Sequence, residues 1–140
     1  MLLSSNNHIH VGLGASYIAI ANAKENFINE WAFCELEPSK NLAWSEGLDY
    51  LKNWLASRNL MKSKIQLNLS SELCPVMLLG WDENKMKNQD QRLIAKANFI
   101  NIYGPIAENW KVIVKSTGFN KKWLACGIDS DLIGELNDLN

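Results

Sequence analysis

The sequence predicts an α/β fold: a mixed sheet that opens with a three-strand antiparallel meander, with helices packed on it. Three observations carry this. The stretch up to Leu36 alternates apolar and polar residues with a period of two, in three runs broken by polar turns. Beyond Pro38 the apolar spacing changes to that of a helix. From there strand-like and helix-like runs interleave, with no repeat, low-complexity tract or linker.

The first two runs are "HIHVGL" and "SYIAIA", separated at Gly14-Ala15. A glycine between alternating runs is a hairpin signal, because it can adopt the positive φ that tight turns demand. "FINEWAFCEL" follows a second polar turn, "NAKEN". Trp31 and Phe33 fall on one parity and Ala32 and Cys34 on the other, as in a strand covered on both faces. Pro38 ends this run. Trp44, Leu48, Leu51 and Leu55 then draw one stripe along a helix, widened by Trp54 and ended near Asn59 or Lys62. Gly47 weakens its first turns.

"KIQLNLSS" alternates cleanly and predicts a half-exposed strand. "ELCPVMLLGW" is apolar but contains Pro75, which has no N–H for a ladder, so it is an edge strand or one that begins at the proline. "QRLIAKANFINIYG" predicts a helix whose stripe is Leu93, Ala97 and Ile100, flanked by Ile94 and Phe99 and stopped by Gly104-Pro105. "NWKVIVKS" and "KWLACGI" are two more strands. Asp129 caps a last helix with Leu132, Ile133, Leu136 and Leu139 on its buried side. The order is β-β-β-α-β-(β)-α-β-β-α.

A chain of 140 residues fits one domain, residues 1–140. It ends in or just after a helix without a polar tail, which reads as a piece of a longer protein or as a short protein whose last helix docks on something. With 47% apolar and 21% charged residues it can bury a core. The net charge of −1 and the scattered lysines lack the clustered basic surface that phosphate neutralisation needs, so nucleic acid is not an expected partner. Cys34, Cys74 and Cys126 are far apart, have no CxxC spacing and sit in apolar contexts, which predicts free thiols in a reducing compartment. No run is long enough to span a membrane, and "MLLSSNNH" lacks the features of a secretory leader. The expectation is a soluble cytoplasmic domain without direct membrane insertion.

No reactive constellation emerges. Gly12 and Gly14 lead into a strand, whereas Rossmann and P-loop motifs lead into a helix whose N-terminus holds phosphate. A strand–turn–strand phosphate loop exists in actin/Hsp70-like folds, and Gly12, Gly14 and Ser16 would surround phosphate there. The aspartate that holds Mg²⁺ through water is replaced, however, by His10 or Val11. RNase H-like nucleases need metal-binding carboxylates on the first and fourth strands, and these strands carry none. Ser70-Ser71-Glu72 lacks a nucleophile elbow and reads as a turn. His8 and His10 share one face but have no third ligand, so no metal site is assigned. Of six tryptophans, Trp81 stands out, preceded by Gly80 and followed by acids; it is either core or a surface anchor.

One family resemblance covers most of the chain. "IQLNLSSELCPVMLLGW", "AKANFINIYGPIAENWKVIV" and "LACGIDSDLIGEL" resemble a series found in the N-terminal half of actin-like cytoplasmic proteins of type IV pilus and type II secretion machines, the PilM and GspL type. Gly80 stands where that family often has proline. The resemblance implies an RNase H-like/actin-like half-fold in a bacterial, non-enzymatic scaffold, located in the cytoplasm and peripheral to the inner membrane. It would bind a protein partner of a membrane-associated assembly without a cofactor. The peripheral "CPVMLLGW" segment, with Val76, Leu78 and Trp81, is the candidate partner-binding strand. Two alternatives stay open: a nucleotide-binding lobe taking ATP and Mg²⁺ at Gly12, Gly14 and Ser16, and an orphan structural domain. Homo-oligomerisation is also left open.

Overall fold

The computed structural model describes residues 7–37, 44–80, 88–118 and 122–139. Pro38, the predicted end of the third strand, and Trp81, the end of the predicted "CPVMLLGW" segment, lie outside the described residues. The chain packs as two compact units, one of Met1–Leu73 with Leu136–Asn140 and the other of Cys74–Glu135.

The first unit holds β1 (Asn7–Leu13), β2 (Tyr17–Lys24), β3 (Phe27–Glu35), α1 (Ser45–Ser57) and β4 (Lys64–Leu69). The sheet order is β3-β2-β1-β4; the three opening strands form the expected antiparallel meander, and β4 joins β1 in parallel. One face of this sheet buries Ile9, Val11, Leu13, Ile18 and Ile20, which alternate with exposed or half-buried neighbours as the strand period requires. The predicted stripe of α1 is buried in full: Trp44, Leu48, Leu51, Trp54 and Leu55.

The end of α1 follows from hydrogen bonding. Asn59 adopts a left-handed backbone (φ 54°), its N–H donates to the Ala56 carbonyl at 3.2 Å, and the Leu60 N–H donates to Leu55 at 2.9 Å. This is the Schellman arrangement, with asparagine in the position glycine usually takes. Arg58 lies 4.4 Å over the Trp54 ring, and its Nε donates to Glu30 Oε1 of β3 at 2.6 Å.

Two local expectations are corrected. Gly14 does not take a positive φ; a Cβ there would overlap the ring of Tyr17, so the glycine provides room rather than left-handed backbone. In the second hairpin, Glu25 and Asn26 do adopt positive φ (52° and 69°), the geometry of a two-residue turn matched to strand twist. Second, β3 is not covered on both faces. It is the outermost strand, and Trp31 and Phe33 are 74% and 54% exposed.

The second unit holds β5 (Val76–Leu79), α2 (Asn88–Tyr103), a 3-10 helix over Gly104–Asn109, β6 (Trp110–Ser116), β7 (Trp123–Asp129) and all but the last two residues of α3 (Ser130–Asn137). Its strands form a second sheet, β5-β7-β6, wholly antiparallel, where the sequence pattern suggested one sheet throughout. Its core is Leu79, Ala95, Phe99, Ala107, Val112, Val114 and Ala125. Phe99 meets the Trp110 ring edge-on at 5.7 Å, and Tyr103 leans on the same indole at 5.0 Å. Gly127 gives that indole room, since a Cβ would come within 2.8 Å of it.

The stripe of α2 differs from the prediction. Gln91, Ala95 and Phe99 are buried, whereas Leu93 is 63% exposed and Ala97 also faces solvent. Phe99, locked by the aromatic cluster, sets the helix rotation. Gly104 takes φ 78° and ends α2 as expected, but the chain continues as the 3-10 helix with Pro105 near its start. Lys96 closes this corner by donating to the carbonyls of Glu108 at 2.7 Å and Trp110 at 2.5 Å. The Asp129 carboxylate accepts the Asp131 N–H at 2.8 Å, the predicted cap of α3.

Candidate functional site

The glycine hairpin places Gly12 on β1, with open space above its Cα, and Gly14 and Ser16 in the turn to β2. The Gly14 N–H donates to Tyr17 at 3.0 Å, and the Ser16 carbonyl accepts the Leu36 N–H at 2.8 Å. The Ala15 N–H at the tip donates to Glu72 Oε2 at 3.3 Å. A loop that grips phosphate presents such amides to the anion. Here a carboxylate from the chain itself occupies one of them. Glu72 reaches it from the turn after β4, where the Leu73 N–H bonds to the Ser70 carbonyl at 3.1 Å.

The second candidate is β5. It has β7 on one side and no strand on the other among the described residues. The Gly127 N–H donates to the Pro75 carbonyl at 3.1 Å, so residues 75 and 127 form a hydrogen-bonded pair in the antiparallel register that sets Val76 opposite Cys126. Such pairs alternate along an antiparallel ladder. Residues 77 and 125 therefore bond next, and Val76 and Leu78 turn their backbone N–H and C=O toward the open edge. Their side chains share one face and are 57% and 61% exposed. The structure thus brings Val76 and Leu78 together; Trp81 lies outside the described residues.

Beside this strand, Cys74 and Cys126 are both free thiols. Burial, reinforced by the neighbouring Cys126 sulfur, pushes the Cys74 thiol up to about 11. Among the described residues no group of three His, Cys, Asp or Glu side chains is placed to hold a metal ion. No described helix is long and apolar enough to cross a membrane.

A third feature was not anticipated. The outer face of the first sheet is a shallow trough floored by Gly12, Ala19 and Ala21 and walled by Trp31 and Phe33, with a volume of about 390 Å³. It runs on into a second hollow of about 540 Å³ beside His8, Ala23 and Ile28. The signal was present in β2, whose outward parity is Ala19, Ala21 and Ala23: residues too small to fill a layer between sheet and helix.

Comparison with solved structures settles the architecture. Over 95% of its length the chain superposes on the cytoplasmic domain of EpsL, an inner membrane component of the type II secretion system of Vibrio cholerae, with a TM-score of 0.61 and 9% identity. Over 97% it superposes on a Bacteroides thetaiotaomicron protein of actin-like ATPase fold and unknown function, with a TM-score of 0.55 and 16% identity. The fold is actin-like. The chain covers 51% and 49% of those two structures, about half of each. No family model and no curated protein matches it in sequence. The actin-like assignment therefore rests on geometry, with the meander and the second sheet both included in the superposed length.

Proposed function

We propose that this chain is a non-catalytic protein-binding module of a bacterial secretion or pilus assembly, working at the cytoplasmic side of the inner membrane. The observation that carries the reading is the edge of β5, which has no strand beside it among the described residues and where Val76 and Leu78 turn their backbone groups outward next to exposed apolar side chains. An extended segment of a partner adds there as a further strand, its main chain supplying affinity and its alternate side chains meeting Val76 and Leu78. The likeness in fold to the EpsL cytoplasmic domain supports the choice of assembly. The Glu72 carboxylate on the hairpin amide supports a role without nucleotide.

The test is a photo-crosslinking residue placed at Val76 in cells of the source organism. The expected adduct is a component of an envelope-spanning secretion or pilus assembly. Leu78→Pro is the discriminating variant. The Leu78 N–H points away from β7, so proline there leaves the existing ladder intact while removing a donor from the edge. Loss of the adduct with retained folding is expected. Equal crosslinking in the proline variant, or adducts confined to unrelated soluble proteins, would overturn the reading.

A further inference from the structure

We infer that the outer face of the four-stranded sheet is a second docking surface, which receives an amphipathic helix carrying carboxylates along one flank. The inference is independent of the β5 edge. The pairing register sets three rows across the sheet: Ile28–Ala23–His8–Lys64, Trp31–Ala21–His10–Gln66, and Phe33–Ala19–Gly12–Asn68. Each row runs from a large apolar side chain on β3, over alanine on β2, to histidine or glycine on β1 and a polar or cationic side chain on β4. The face is therefore graded, with an exposed apolar wall at one edge and the nitrogen-bearing His8, His10 and Lys64 toward the other. No row contains a carboxylate; the nearest in the register is Glu35, one row beyond Phe33 and opposite Tyr17.

Geometry selects a helix. A strand laid on a sheet face leaves its backbone polar groups without partners, whereas a helix satisfies its own. The floor of glycine and alanine permits close approach, and Trp31, Phe33 and Ile28 stand beside it as apolar anchors of the kind that dominate binding energy. The three rows span about 14 Å along the strands, the length of about nine helical residues. Charge selects the flank, since Lys64 is the cation of these three rows and none of them holds a carboxylate, an arrangement that complements carboxylates on the ligand. A second copy of the chain would bring the same lysine and no carboxylate from its own rows.

The test uses the full chain and two fluorescein-labelled helical peptides of about 18 residues. Both carry one leucine stripe, flanked by Glu in the first and Lys in the second. The Glu peptide is expected to bind at least about tenfold more tightly, with affinity falling as salt is raised. Trp31→Ser, at an exposed site that leaves the core alone, should weaken it about tenfold, and Lys64→Glu should abolish the preference for Glu. Leu78→Pro should leave peptide binding unchanged, which separates this surface from the β5 edge. Equal binding of the two peptides, or indifference to Trp31→Ser, overturns the inference. A concentration-dependent dimer lost in Trp31→Ser would assign the face to a second copy and overturn it. Binding to phosphatidylglycerol vesicles with the same dependence on Trp31 and Lys64 would assign the face to a lipid surface, with the same result.

Discussion

Two helical glycines show how one residue type carries opposite consequences. Gly47 is buried in α1, and a Cβ there would overlap Leu13 Cδ1 and come within 3.1 Å of Leu36 Cδ1. Leu13 is itself fully buried and has nowhere to go. Gly134 in α3 is exposed and has open space around it. Alanine gains up to about 1 kcal/mol over glycine in a helix, while overpacking a core costs about 1–3 kcal/mol. Gly47→Ala is therefore expected to destabilise and Gly134→Ala to stabilise, each read as a urea midpoint; gains at both sites would contradict the packing of Leu13. The sequence marks Gly47 only as a poor helix former, because the neighbour that requires it lies 34 positions away. Cys74 offers a second test. Its thiol is held near 11, so iodoacetamide should label it roughly a hundredfold more slowly in the folded chain than in urea at pH 8. Because burial favours the neutral thiol, its contribution to stability is complete below about pH 9 and is lost as the pH rises toward 11. Labelling at equal rates in both states would contradict that environment.

Among the elements, α1 was legible and α2 only half so. In α1 the apolar residues lie on one side, and a 3.6-residue period picks out one stripe. In α2, Leu93, Ile94, Ile100 and Ile102 surround the helix, while the buried line contains Gln91 and Ala95, neither of which announces a core position. The correct rotation depends on Phe99 meeting Trp110, a contact between segments that periodicity does not register. Phe99→Ala should cost about 3–5 kcal/mol and Leu93→Ala about 0.5 kcal/mol or less, measured by urea unfolding. Comparable losses at the two sites would return Leu93 to the core. The β5 edge was readable because proline in an apolar run is compatible with few positions. The trough on the first sheet was not. Parity tells which residues share a face but not whether another layer covers them, and Trp31 and Phe33 look the same in either case.

At the scale of the molecule, the order of strands and helices and the opening meander were readable from the residues, whereas the actin-like fold came from the family resemblance of the segments beyond Lys64. The division into two sheets was not, because strand patterns fix which way side chains point but not which strand each one joins. The fold persists at 9% and 16% identity, so what it preserves is the order and pairing of elements rather than any set of side chains. Nucleotide binding by this chain is a question put to the hairpin that holds Gly12, Gly14 and Ser16. A ligand at a hundred times its Kd stabilises by about 2.7 kcal/mol, a shift of several degrees in Tm. On the proposed reading, millimolar ATP with Mg²⁺ leaves the Tm of the chain unchanged; a shift that disappears in a Gly12 or Ser16 variant would restore the nucleotide-binding alternative. One irregularity has a consequence for the whole chain. Between β2 and β3 the register slips at Asn22/Ala23, so that Glu30 pairs with Asn22 and Ile28 with Ala23, and Asn29 is passed over. Ile28 owes its place beside Trp31 to that slip. Removing Asn29 would restore regular pairing while every other side chain of β3 kept its face, so β3 can change in length by one residue where an ordinary strand would be turned inside out.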